Sequence, residues 1–200
     1  MVNMRPPVVP EQSVPVLTDE QVKALLKTCE GKDFDSRRDA AIVRLFLDSG
    51  MRRAKLSGLR LEDVDLDQHV ALVMGKGRRP RGCAFGRKTA LAIDRYLRIR
   101  AMHRDAELPI LWLGHGGPMT DSSISQAVEK RAELAGLENL NVHRFRHSFA
   151  HAWLSNGGNE CDLMMLAGWK SRTMLSRYAA SAAVDRAREA HKRLALEDRL

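Results

Sequence analysis

One stretch of this chain, between Val64 and Phe85, changes period. Val70, Leu72 and Met74 alternate there with Ala71 and Val73 at the two-residue repeat of a strand, and Gly75, Lys76 and Gly77 supply a turn. The returning run carries Arg78, Arg79, Pro80 and Arg81. Proline has no amide hydrogen to give to a ladder, which predicts that this strand lies at a sheet edge. The folded sequence on either side repeats at helical spacing. The combination predicts an α+β, mainly helical fold with one small antiparallel sheet.

Thr18 with Gln21 opens the first helix as a capping box, and Val22, Leu25, Leu26 and Cys29 follow on one face. The second helix aligns Ile42, Leu45, Phe46 and Ser49 and ends at Gly50. From Lys88 onward helices are predicted at about 88–103, 121–135, 142–155, 159–166 and 171–180, separated by Gly, Pro and Asn breakers. A last one, over about 184–196, has a ridge of Val184, Ala187, His191 and Leu194 that needs a surface to bury against. Residues 1–16 contain Pro6, Pro7, Pro10 and Pro15 and no apolar period, so they read as a tail or linker remnant. The chain as a whole, 200 residues at 44% hydrophobic, suits a single core.

Charge narrows the partner. Lys and Arg number 33 against 25 Asp and Glu, a formal +8 with a pI near 9.8, which suits a polyanion and favours nucleic acid over a membrane. No apolar run reaches the roughly eighteen residues of a membrane span, and prolines occupy the place of a signal segment, so a soluble, unexported protein is expected. Cys29, Cys83 and Cys161 are odd in number and far apart, which predicts thiols in a reducing cytosol rather than a disulfide framework.

Four stretches carry the chemistry: Ser49-Gly50-Met51-Arg52-Arg53-Ala54-Lys55-Leu56, Gly75-Lys76-Gly77, His143-Arg144-Phe145-Arg146-His147, and Gly168-Trp169 with Tyr178 nine residues on. Taken alone, each has an ordinary explanation. The arginines could be solvated surface charge, Lys76 a hairpin-tip lysine, His143 a structural histidine, Trp169 core packing and Tyr178 an interfacial aromatic. In this order and spacing, over roughly residues 16–183, they closely resemble the tyrosine recombinase (phage integrase) family.

The resemblance implies a role for each residue. Arg52 and Arg146 would grip the non-bridging oxygens of a phosphodiester that gathers negative charge under attack. Lys76 would protonate the leaving 5′ oxygen, and His143 would accept or relay the tyrosine's proton. Trp169 stands where many members have histidine and some tryptophan, and its indole N–H can donate to a phosphate oxygen. Tyr178 would be the nucleophile, forming a 3′-phosphotyrosyl link that keeps the energy of the backbone bond, so that no cofactor is needed.

The implied function is site-specific recombination, as in integration and excision of a mobile element such as a phage. The implied partners are a double-stranded core site, a homo-tetramer on two duplexes and a directionality factor. The implied setting is the cytoplasm of a bacterial host. The expected layout is a tail over 1–16, a catalytic domain over 17–183, and a C-terminal helix or tail over 184–200 that is a candidate for exchange between protomers.

Two positions depart from the family pattern. Lys55 stands where members commonly have an acidic residue, and the first sixteen residues cannot hold the usual N-terminal DNA-clamping domain. Lys55 keeps open a second reading, a non-catalytic or weakened DNA-binding protein on the same scaffold. A zinc site on His143, His147 and His151 is disfavoured, because Arg144 stands where a metalloprotease helix carries its glutamate base. Gly114-His115-Gly116-Gly117 lacks the ending of a phosphate loop and reads as a turn.

Overall fold

Helix α1 (Asp19–Lys27) begins at the Thr18 capping box, with Gln21 N–H on the Thr18 hydroxyl and the Gln21 amide oxygen on the Thr18 N–H. The computed structural model describes residues 15–75, 80–169, 171, 175, 187–188 and 191–192. Helix α2 (Phe34–Ser49) is capped by Asp33 and buries Ile42, Leu45 and Phe46, as the periodicity predicts. It stops at Gly50, which turns left-handed at φ 54. Glycine is required there twice over, because a Cβ would also lie 2.4 Å from the Phe149 ring.

Around α2 pack α4 (Arg87–Arg100), α5 (Asp121–Leu134) and α6 (Val142–Ser155). Tyr96 of α4 stacks on Trp112 at 5.4 Å, and Phe46 stacks on Phe145 of α6 at 5.6 Å, so aromatic pairs pin the main core. A second, smaller apolar cluster joins the other end of α6 to α7 (Glu160–Ala167) through Ala150, Leu154, Leu163, Ala167, Trp169 and Leu175. A short helix, α3 (Arg53–Ser57), follows directly on the Gly50 turn.

The sheet is antiparallel in the order β1 (Val64–Asp65), β2 (Val70–Met74), β3 (Pro80–Ala84). Pro80 opens an edge strand opposite Met74, as predicted. Ala71, Val73 and Cys83 face the core, whereas Leu72 and Met74 remain 48% and 51% exposed. The predicted turn at Gly114–Gly117 is the tip of a further two-stranded hairpin, β4 (Leu113–Gly114) with β5 (Gly117–Pro118). No described helix is long and apolar enough to cross a membrane. The helices predicted over 171–180 and 184–196 fall largely outside the described residues, as does the tail over 1–16 except for its last two residues, and the catalytic candidates Lys76 and Tyr178 fall wholly outside them.

Candidate active site

The Gly50 turn aims the first arginine. Met51 is buried, which anchors the chain, and Arg52 then takes an extended N-cap conformation and stays exposed. Its carbonyl accepts the N–H groups of Lys55 at 2.8 Å and Leu56 at 3.1 Å, starting α3. The adjacent Arg53 points elsewhere, donating to Ser125 Oγ at 2.9 Å and lying 3.8 Å from Asp121. Of the two consecutive arginines, Arg52 is the one that lines a cleft.

The second arginine is buried at 6% exposure. Arg146 donates from Nη1 to the carbonyl of Gly50 and from Nη2 to that of Ala167, each at 2.6 Å. Its Cζ lies 5.2 Å from the centre of the Trp169 ring, a cation–π distance. One guanidinium thus joins the Gly50 turn, α6 and the end of α7. Helix α7 ends at Gly168, φ 64, and the Trp169 N–H returns to Met164 O at 2.9 Å, which fixes the indole beside the arginine.

His143 is exposed in the first turn of α6, where the Asn141 side chain accepts the His143 and Arg144 N–H groups. It is three residues from Arg146, hence on the same side of the helix. His147 is half-buried. Its pKa is held below the usual histidine value, first by burial and then by the charges of His143 and Arg146. His151 Nδ1 lies 3.4 Å from Ser155 Oγ, and among the described residues no three metal-ligating side chains come together.

The cleft has a volume of about 540 Å³. Arg52, Lys55, Arg81 and Trp169 line it, with Met74, Met164 and Met165 as an apolar wall, and no described carboxylate enters it. Gly75, immediately before Lys76, is also on its wall. Larger depressions of about 690 and 660 Å³ lie on α1, α2 and α4, the first also on α6, and none of the cleft residues lines them, so size does not mark the site. The structure therefore brings Arg52, Arg146 and Trp169 into one neighbourhood and sets His143 one turn from Arg146. Sequence reasoning missed Arg81 and the methionine wall. Arg81 read as one of several basic residues on the edge strand, and only its contact across the fold distinguishes it.

Residues 15–184 match the phage integrase family. A tyrosine recombinase XerC of Thermodesulfovibrio yellowstonii is 33% identical over 169 residues, covering 81% of this chain and 56% of the relative. One of Pseudomonas fluorescens is 34% identical over 141 residues, covering 70% and 47%. The chain thus spans about half the length of these curated relatives. Among solved structures, XerA recombinase superposes with a TM-score of 0.77 at 25% identity, covering 94% of this chain and 66% of that one. XerH recombinase, in a post-cleavage complex with its palindromic difH substrate, superposes at 0.73 with 19% identity, covering 94% and 54%.

Proposed function

The chain belongs to the phage integrase family, and from that premise we propose that it is the catalytic domain of a site-specific tyrosine recombinase. The observation that carries the reading is the seating of Arg146 beside Trp169 and on the carbonyl of Gly50, in the turn two residues before Arg52. In this reading Arg52 on the cleft wall, with Arg146 seated directly behind Trp169, supplies the donors needed where negative charge develops on the phosphodiester.

In this reading the Tyr178 phenolic oxygen attacks phosphorus and the bond to the 5′ oxygen breaks. Lys76 gives that oxygen a proton, and His143 takes or relays the proton of the tyrosine. The product is a 3′-phosphotyrosyl link, which an incoming 5′ hydroxyl reverses to rejoin strands. The chain has two tyrosines, and the other supports Tyr178 by elimination. Tyr96 has no solvent exposure, its hydroxyl donates to Leu111 O at 3.0 Å and accepts from Leu113 N–H at 2.9 Å, and burial raises its pKa. It cannot reach DNA.

The substrate is double-stranded DNA at a core site, held by a tetramer on two duplexes. The event is integration or excision of a mobile element such as a phage, with a directionality factor, in the cytoplasm of a bacterial host. Residues 17–183 form the catalytic unit, and residues 184–200 supply a helix or tail that neighbouring protomers exchange. Lys55 on the cleft wall favours the second reading, a DNA-binding module without chemistry. Incubation with nick-trapped core-site DNA, followed by a denaturing gel, separates the two. A covalent protein–DNA adduct is expected, and its absence under conditions where the DNA binds supports the module.

A further inference from the structure

We propose that Arg81 is a positioning residue that clamps the hairpin carrying Lys76 to the end of α7, and so sets where the lysine meets the leaving oxygen. The inference rests on the strand-exchange reading above. Arg81 stands on β3 opposite Val73 of β2, with its side chain half-buried in the cleft wall. From there it reaches 85 residues along the chain, donating from Nη1 to the carbonyl of Leu166 in the last turn of α7. Its guanidinium passes so close to Gly168 that a Cβ at that position would lie 2.6 Å from Nη1. The φ of 64 already selects glycine at 168, and room for Arg81 is a second reason for it.

This contact does more than satisfy one surface group. The Leu166 carbonyl is among the last of its helix, where carbonyls lack intrahelical partners and carry the negative end of the helix dipole, so a cation bonds there with charge assistance. Helix α7 also packs in the small second apolar cluster with Ala150, Leu154 and Trp169, whereas β2 and β3 contribute Val73 and Cys83 to the main core. Arg146 ties α6 to Ala167, and Arg81 ties the sheet to Leu166, so two guanidinium groups hold adjacent carbonyls of α7 from different sides. The register pairs Met74 with Pro80, and Lys76 belongs to the five residues that separate these two in the sequence. Among the described residues, Arg81 is thus the side chain of β3 that ties the sheet to the last turn of α7 by a hydrogen bond.

The test is single-turnover adduct formation at saturating DNA. It uses nick-trapped core-site DNA carrying either an ordinary phosphodiester or a 5′-bridging phosphorothiolate, whose leaving group needs no proton. Arg81→Ala is expected to slow the ordinary substrate by about tenfold, the scale of one charge-assisted hydrogen bond. On the phosphorothiolate it should recover to within about threefold of the unchanged protein, as Lys76→Ala does. Arg81→Lys, which keeps the charge and a donor, should fall between the two and decides the matter if the alanine variant does not fold. Equal slowing of both substrates with Lys76→Ala still rescued, or no slowing at all, overturns the inference and leaves strand exchange standing. A Lys76→Ala variant that the phosphorothiolate fails to rescue overturns the lysine's assignment and this inference with it.

Discussion

Arg146 donates to the carbonyl of Gly50 at 2.6 Å, so the buried second arginine is seated on the turn that launches the first. The two phosphate-gripping candidates are not independent surface charges, because moving the turn moves both.

Gly50→Ala is therefore expected to damage fold and site together. A side chain at φ 54 that also meets the Phe149 ring should cost about 1–3 kcal/mol, measured by urea unfolding. Adduct formation by the folded fraction should fall further than in Arg53→Ala, whose side chain is engaged with Ser125 and Asp121. A Gly50→Ala protein as stable and active as the parent would show that the turn does not set the arginines.

Lys55→Glu places a carboxylate in a cleft whose charged residues among those described, Arg52, Lys55 and Arg81, are all cationic. A carboxylate near Arg52 can orient the guanidinium while leaving the phosphate oxygens to it, so adduct formation should be preserved or raised. A folded but inactive variant would mean that the surrounding groups depend on the lysine.

His147 makes stability fall with acid. Its folded-state pKa lies below the unfolded value, so the unfolded chain binds more protons as pH drops through the histidine range, and stability is lost in that direction. Unfolding midpoints measured at pH 7.5 and again near pH 5.5, about one unit below the ordinary histidine value, should differ less in His147→Gln than in the parent. Identical pH dependence in the two proteins would contradict the assignment.

Much of this was legible because local chemistry and fold agree. Asn141 as a cap and an unbroken helical period mark α6 from Val142 to Ser155, and Gly50 and Thr18 mark their own boundaries. The inward face of β2 was not legible. Ala71, Leu72, Val73 and Met74 are all apolar, so alternation offers no polar contrast, and packing turned the smaller side chains inward. The β4–β5 hairpin is too short to show a period. At the site, the motif pattern pointed to Arg52 and Arg146. The Arg81 contact to Leu166, by contrast, ends on a backbone carbonyl that any residue could supply, and no sequence signal marks such an acceptor.

The most direct test of the account is peptide mapping of the trapped adduct. Nick-trapped core-site DNA is incubated with the protein, the complex is digested with nuclease and protease, and the nucleotide-bearing peptide is sequenced by mass spectrometry. The account predicts a 3′-linked nucleotide on Tyr178 and no adduct from Tyr178→Phe, which deletes only the phenolic oxygen. A nucleotide on any other residue, or an adduct that survives Tyr178→Phe, would contradict it.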